Sequence, residues 1–155
     1  MRLSKNFVLS EITRSDTANR LGINNEPTKK DLENIQRLIT NILQPLRNHL
    51  GPIRISSGYR NKELNRAIGG SNKSQHCKGQ ACDVQFWKEG QMCNKEVYDW
   101  IIDNAVEFDQ MINEFDFSWI HISLKKSNNR REVLEAYKDK DGDTKYRFAP
   151  DIITL

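Results

Sequence analysis

Apolar residues recur along this chain at the spacing of helices in some stretches and of strands in others. The longest helix is predicted from about Lys29 to Leu50, with Thr28 as its N-cap, a kink at Pro45 and an end at Gly51. Its apolar positions follow the i, i+3, i+4 spacing of a helix that packs on a core. They are Leu32, Ile35, Leu38, Ile39, Ile42, Leu43 and Leu46.

Shorter helices are predicted at residues 10–22, 61–69 and 95–106. The polar stretch 71–80 is predicted to be a loop. No internal repeat and no low-complexity linker divides the sequence, so residues 1–155 are predicted to form a single domain.

Alternation of polar and apolar residues predicts strands in other stretches. In QACDVQF, Asp83 points away from the core, whereas Cys82 and Val84 point into it. In SWIHISL, His121 lies on the open face in the same way, because the isoleucines on either side of it face the core. Each of these two strands therefore presents a metal-ligating side chain on the face that is not buried.

Three further patterns complete the predicted sheet. GPIRISSGYR contains a short strand that ends before Arg60, and the tail is predicted to form a hairpin around Asp141 and Gly142. In FDQMINEF, Glu114 lies at the end of a predicted strand, and the short connection to the next strand predicts an antiparallel pair with Glu114 opposite about Trp119. The sequence thus predicts an α+β fold, in which a small antiparallel sheet has helices packed on one side.

Composition and charge exclude several classes of protein. The chain is 37% hydrophobic and 29% charged, and no apolar run approaches the ~20 residues of a membrane span. The net charge of +3 comes from scattered lysine and arginine pairs, which is not the basic patch of a nucleic-acid-binding protein. The cysteines are Cys77, Cys82 and Cys93, an odd number that predicts reduced thiols rather than a disulfide framework.

Three residues with ligand chemistry stand out: His76, Asp83 and His121. Two imidazoles and one carboxylate, with a fourth position open, is the composition of a catalytic zinc site. The remaining histidine, His49, ends the long helix with no acidic residue nearby in the sequence. On residue types alone, ordinary surface or core histidines remain the alternative. The run DKDGD at 139–143 is interpreted as a turn, because it lacks the glycine and glutamate positions of a calcium loop.

The segments SSGYR, IGGSNKSQHCKGQACDV and FDQMINEF…WIHIS closely resemble the zinc peptidases that cut the peptide stems of bacterial peptidoglycan. These are the D-Ala-D-Ala carboxypeptidases and the related L-Ala-D-Glu endopeptidases, which share the hedgehog/D,D-peptidase fold. The likeness is to short members from bacteriophages and prophages, and it covers about Leu3 to Ser123. Its most specific part is the pattern SxHxxGxAxD, formed by Ser74, His76, Gly79, Ala81 and Asp83.

The resemblance implies one zinc ion held by His76, Asp83 and His121. It implies that Arg60 grips a carboxylate of the stem peptide near the scissile bond, and that Ser74 lies near the substrate. The implied reaction is hydrolysis of an amide bond by metal-activated water.

The catalytic base is where this chain departs from the family pattern. Many members carry an acid three residues before the last ligand, and here that position is Ser118. Others carry a histidine two residues before it, and here that position is Trp119. The nearby acids are Glu114 and Asp116, and Glu114 is the predicted base because it ends the strand as in the phage-type members.

This departure keeps a second function open. The chain would then be a weakly active or inactive zinc-binding module of the same fold, serving as a phage structural or cell-wall-binding protein. The expected partner is the peptidoglycan stem peptide, with no nucleic acid, no membrane insertion and a monomeric state. The N-terminus lacks the apolar segment of a secretory signal, which predicts synthesis in a bacterial cytoplasm. The protein would reach the wall after release, or as part of a phage particle.

Overall fold

The computed structural model describes residues 1–104 and 107–149. The α-helices are α1 (Leu9–Thr13), α2 (Asp16–Leu21), α3 (Lys29–Leu38), α4 (Gln44–Leu50), α5 (Lys62–Ala67) and α6 (Asn94–Asn104). The strands are β1 (Arg54–Ser57), β2 (Ala81–Gln85), β3 (Trp87–Lys88), β4 (Gln91–Met92), β5 (Gln110–Glu114), β6 (Trp119–Ser123), β7 (Glu132–Lys138) and β8 (Thr144–Phe148). A π-helical segment (Ile39–Leu43) and a 3₁₀ turn (Gln75–Lys78) complete the elements. The last two residues of the helix predicted over 95–106 lie outside the described residues.

Two of the predicted helices are not continuous. The prediction of one helix over residues 10–22 is wrong, because α1 ends before Ser15 and α2 starts after it. The Ser15 hydroxyl accepts a hydrogen bond from the Ala18 N–H and caps α2. The long helix is also not regular, since the π-helical segment joins α3 to α4 immediately before Pro45. Proline lacks an N–H and crowds the preceding turn, so a widened turn at this point relieves the conflict.

The predicted ends of the long helical segment are confirmed. The Thr28 hydroxyl accepts from the Asp31 N–H at 3.1 Å, and Gly51 closes α4 with a φ of 94°. Within the described ranges, no helix has both the length and the apolar character needed to cross a membrane.

In the described part of the chain, one sheet has the strand order β1-β2-β6-β5-β7-β8, and β3 and β4 form a separate small hairpin. Neighbouring strands of the large sheet are antiparallel except β5 and β7, which run parallel. The predicted pairing of Glu114 with Trp119 and the predicted C-terminal hairpin, β7–β8, are both confirmed. The α+β fold predicted from the sequence is confirmed as well, with the parallel pair as an unpredicted addition.

The hydrophobic core lies between one face of the sheet and the helices. The strands contribute the buried side chains of Cys82, Val84, Met111, Ile120 and Ile122. The helical elements contribute Ile35, Leu38, Ile39, Ile42, Leu43, Leu46, Val97 and Ile101. Burying such a side chain stabilises the fold by about 1.5–3 kcal/mol. The predicted inward positions of β2 and β6 are therefore confirmed, and Cys82 is a buried thiol whose pKa is raised by burial.

The segment 71–80, predicted as a loop, contains the 3₁₀ turn and is held against α3. Gly79 ends the turn with a φ of 72°. A Cβ atom on Gly79 would clash with the carbonyl oxygen of Asp31, so only glycine allows this close approach. The Asn34 side-chain amide of α3 donates to the Lys78 carbonyl at 2.9 Å. The turn that carries His76 is thereby fixed to the helical layer.

Gly79→Ala should lower the free energy of unfolding more than Gly90→Ala does. The two glycines have similar φ angles, 72° and 77°, so backbone strain costs each alanine about 1–2 kcal/mol. Only at Gly79 does the added Cβ also meet the backbone of α3, which should cost a further ~1–3 kcal/mol. Urea denaturation of both variants measures the difference. Equal losses would show that the close contact with α3 does not hold the turn.

Candidate metal centre

The pairing of β2 with β6 places Asp83 directly opposite His121. The 3₁₀ turn adds His76 to this pair. The Oδ1 atom of Asp83 lies 3.1 Å from Nδ1 of His121 and 3.4 Å from Nε2 of His76. The three ligand-capable atoms all lie within 4.8 Å of one another. The structure thus brings together the three residues that the sequence singles out.

A second contact of His76 identifies its tautomer. Nδ1 lies 2.7 Å from the carbonyl oxygen of Gly58, which can only accept, so Nδ1 carries a proton. Burial lowers the pKa of His76 and favours the neutral ring, although Asp83 opposes that shift. Nε2 is then an acceptor that faces another acceptor, the Asp83 carboxylate, at 3.4 Å. Two acceptors at this distance are favourable only with a cation or a proton between them, so this donor set suits a metal ion.

Asp83 supplies the negative charge of the group. Burial would raise the pKa of its carboxyl, but His76 and His121 outweigh burial and hold that pKa below its usual range. The carboxylate is therefore ionised at neutral pH. With two neutral imidazoles, it would leave a bound divalent cation with a net charge near +1, which still polarises a carbonyl group.

Arg60 and Ser74 lie beside the group, in the same cleft of about 830 Å³. The Ser74 hydroxyl accepts from the His76 N–H at 3.3 Å, and the Arg60 Nη2 donates to that hydroxyl at 3.4 Å. Burial lowers the pKa of Arg60, and the Asp83 charge partly offsets this. Among the described residues, the buried Nε of Arg60 has no hydrogen-bond partner. The Arg60 guanidinium is therefore partly desolvated, and its buried Nε donor is unused.

Glu114 lines the cleft on its other side, whereas Asp116 does not. Burial raises the pKa of Glu114 to about 7, Asp83 adds to the shift and His121 opposes it. On the open face of the sheet, Glu114 is the diagonal neighbour of His121, because Ile112 pairs with His121 and Glu114 pairs with Trp119. Asp116 is exposed and lies in a turn with a φ of 54°. Of the two acids, only Glu114 faces the candidate centre.

A buried network behind the centre was not predicted. The Asp109 side chain is 1% exposed, accepts from Gln75 Nε2 at 3.0 Å and from Arg130 Nη2 at 2.8 Å, and lies 3.5 Å from Lys125 Nζ. Because Gln75 precedes His76, this network ties the 3₁₀ turn to the sheet. The partners Gln75 and Arg130 are 34 and 21 residues away from Asp109. The local sequence shows only that an acid, Asp109, precedes strand β5. It does not identify Gln75 and Arg130 as the partners of that acid.

The C-terminal hairpin β7–β8 also lines the cleft, through Lys138, Thr144 and Tyr146. Burial raises the pKa of Tyr146, and the nearby Glu114 adds to that shift. Residues 139–143 form the turn of this hairpin, where Asp139 Oδ1 accepts from two backbone N–H groups. The sequence predicts the hairpin but not its place, because the parallel pairing of β5 with β7 has no local signature.

Asp109→Asn should destabilise the protein in a pH-dependent manner. Burial would raise the pKa of Asp109, but hydrogen bonds from Arg130 bring it to about 2 from an ordinary 3.8. A lowered pKa means that the ionised form stabilises the fold above about pH 4, and that this stabilisation is lost as the pH falls towards 2. The substitution should lower the free energy of unfolding by about 1–3 kcal/mol at pH 7. Urea titrations between pH 7 and 3 should show the difference from the parent shrinking.

The matched control for this experiment is Asp99→Asn. The Asp99 side chain is 49% exposed and pairs with Lys95 one helical turn earlier. Such pairs contribute less than about 1 kcal/mol. A loss as large as that of Asp109→Asn, or a loss at Asp109 that does not change with pH, would contradict the role of the network.

Comparison with known proteins agrees with this geometry. A family model described as Peptidase M15 matches residues 5–123, a range that contains Arg60, Ser74, Glu114 and the three residues of the candidate centre. The hairpin β7–β8 lies beyond it. None of the curated proteins matches the chain. Because the family model covers more than half of the sequence, the chain belongs to the Peptidase M15 family, the zinc D-Ala-D-Ala carboxypeptidase family of peptidoglycan peptidases.

Proposed function

We propose that this protein is a zinc-dependent peptidase that hydrolyses an amide bond in the peptide stem of bacterial peptidoglycan. The D,D-carboxypeptidase and the L-Ala-D-Glu endopeptidase are the two reaction types that the family offers. The observation that carries the proposal is a single cleft lined by the metal-ligand group, a carboxyl group with a raised pKa and an arginine. Membership of the Peptidase M15 family supports a metallopeptidase that acts on peptidoglycan.

The proposed ligands for one zinc ion are His76 through Nε2, Asp83 through Oδ1 and His121 through Nδ1. Support comes from their mutual distances and from the Gly58 contact, which leaves Nε2 of His76 unprotonated. A zinc ion in such a site acts as a Lewis acid that polarises a carbonyl group and makes water more acidic. The protein's part is to keep both rings in the ligating tautomer. Gly58 does this for His76 in the way that outer hydrogen bonds orient metal-bound histidines.

Glu114 is the proposed general base. A carboxyl group whose pKa lies near the working pH accepts a proton from the attacking water and then returns it to the leaving amine. The burial that raises the pKa of Glu114 also removes competing water from the carboxyl group. Strand β5 is bonded to β6 on one side and to β7 on the other, so the direction of the Glu114 side chain is set by two neighbours.

Arg60 is proposed to bind the substrate carboxylate nearest the scissile bond, with Ser74 as its neighbour. A guanidinium offers five N–H donors in a planar fork that matches a carboxylate. Arg60 lines the cleft, and among the described residues its Nη2 has one long contact, a hydroxyl at 3.4 Å, which leaves the outer nitrogens of the fork available. In the stem peptide, the fitting groups are the terminal carboxylate of D-Ala and the free carboxylate of D-Glu.

The proposed setting is the bacterial cell wall, reached after release from the cytoplasm or in a phage particle. The protein is proposed to act as a monomer with the stem peptide as its partner. A catalytically weak binding module remains the second candidate, because Ser118 occupies the position where many family members carry an acid. Turnover of peptidoglycan separates the two.

The parent chain should bind one equivalent of zinc, and His76→Ala and His121→Ala should each lose it. Removing one of three protein ligands should weaken zinc binding by more than about 100-fold, since loss of an outer partner alone costs 10–100-fold. Mass spectrometry of the metal content after dialysis against trace zinc measures the stoichiometry.

His49→Ala is the control for the zinc experiment, because His49 lies on α4, with its ring 6.1 Å from that of Trp100. It should keep full zinc occupancy. Circular dichroism should show that all three variants are folded. Full occupancy in His76→Ala and His121→Ala would remove the proposed ligand set.

Glu114→Gln should reduce hydrolysis of purified peptidoglycan by ~10²-fold or more without loss of zinc, because glutamine keeps the shape and removes the base. Chromatography of the released amino acids and peptides measures the rate and identifies the bond that is cut. Asp116→Asn is the matched control and should keep the parent rate, because Asp116 is exposed and outside the cleft. If Asp116→Asn were inactive and Glu114→Gln active, Asp116 and not Glu114 would be the general base. A zinc-loaded parent that leaves peptidoglycan intact would favour the binding module.

A further inference from the structure

The open face of the sheet continues across the hairpin that lies beyond the family match. Because β7 runs parallel to β5, Ala136 lies beside Glu114, and Tyr146 of β8 lies beside Ala136. The next pair on this face is Lys138 with Thr144. Both line the cleft that contains the metal group. The hairpin is therefore one wall of that cleft.

The ammonium group of Lys138 is held in place on this wall. Its Nζ donates to Thr144 Oγ1 at 2.7 Å and lies 5.1 Å from the centre of the Phe115 ring, and Phe115 also lines the cleft. An ammonium has three N–H donors, so two remain available. Among the residues that the structure describes, Lys138 forms no ion pair with a carboxylate, although three aspartates stand in the adjacent turn.

On the open face of the sheet, Lys138 and Arg60 flank the metal group from opposite edges. Arg60 follows β1 at one edge, the ligands Asp83 and His121 lie on β2 and β6, and the hairpin forms the other edge. Adjacent strands are about 4.8 Å apart, which places β7 about 10 Å from β6. Lys138 is also four residues farther along β7 than Leu134, which is level with Ile112 and His121, so its Cα atom lies about 16 Å from that of His121. A substrate lying across the metal group towards the hairpin would thus meet one cation near the ligands and a second cation on the hairpin.

We propose that Lys138 binds a second carboxylate of the substrate, the free α-carboxylate of D-Glu in the stem peptide. This inference rests on the proposed function. An extended peptide advances about 3.3 Å per residue, so a residue about three positions from the scissile bond lies about 10 Å away, within reach of the four-carbon side chain of Lys138. In the stem L-Ala-D-Glu-diamino acid-D-Ala-D-Ala, cut at its last amide bond, that residue is D-Glu. Its α-carboxylate is free because the chain continues through the γ-carboxyl group. Arg60 would then bind the carboxylate of the terminal D-Ala.

The test uses two peptides that differ in one group. One is L-Ala-γ-D-Glu-L-Lys-D-Ala-D-Ala, and the other carries an amide in place of the D-Glu α-carboxylate. Calorimetry measures the Kd of both for the zinc-loaded full chain with Glu114→Gln, and kinetics measures KM and kcat for the chain with Glu114. The acid peptide should bind about fivefold more tightly than the amide, the upper range for a solvent-accessible charge pair. Lys138→Gln should remove this difference by weakening only the acid peptide, in KM and not in kcat, and Lys138→Arg should restore it.

Lys145→Gln is the matched control. Lys145 is on the same hairpin, but it pairs with Tyr137 on the opposite face and does not line the cleft. The variant removes the same charge and should leave the difference between the peptides intact. An equal effect of Lys138→Gln on both peptides, or an equal effect of Lys145→Gln, would overturn the assignment while leaving the proposed function in place. Failure of the parent to bind or cut either peptide would remove the proposed function and this inference together.

Discussion

The ionised carboxylate of Asp83 is largely buried between the imidazoles of His76 and His121. Small displacements of either ring would leave this buried charge without a close partner. A buried charge costs several kcal/mol unless its partners are close and well oriented. Here the partners come from strand β6 and from the 3₁₀ turn. A slip of one residue between β2 and β6 would turn His121 into the core and expose Ile120 and Ile122. The register that packs the core is therefore also the register that assembles the candidate centre.

The turn that carries His76 has no strand neighbour to align it, and it relies on separate anchors. The Gly58 carbonyl orients the ring, Asn34 of α3 holds the Lys78 carbonyl, and Gln75 reaches the buried Asp109. These contacts come from the loop after β1, from the helical layer and from the start of β5. A ligand on an irregular segment is thus supported from three directions, which is the preorganisation that a metal site requires.

Much of the centre could be predicted because its strands alternate strictly. Alternation alone placed Asp83 and His121 on the open face and Cys82 in the core, and the pairing of Glu114 with Trp119 followed from a short connection. The same reasoning favoured Glu114 over Asp116, since a strand residue has a defined direction and a turn residue does not.

What could not be predicted depends on contacts between distant segments. The parallel pairing of β5 with β7, which carries Lys138 and Tyr146 into the cleft, joins residues about 22 positions apart with no turn signal between them. The partners of Asp109 are similarly distant. The break between α1 and α2 depends on a local signal, the N-cap residue Ser15. It is still hard to predict, because a capped break and a continuous helix at this position are close in free energy.

Within residues 1–104 and 107–149, strand β8 forms one edge of the sheet, and all five of its residues are exposed. In this part of the chain its backbone is bonded to one neighbouring strand, so local opening of β8 requires less free energy than opening of β5, which is bonded on both sides. The wall of the cleft formed by β8 can therefore open locally while Glu114 and the central strands β2 and β6 stay in place. Access to the cleft from the side of β8 is thus compatible with a fixed arrangement of Asp83, His121 and Glu114.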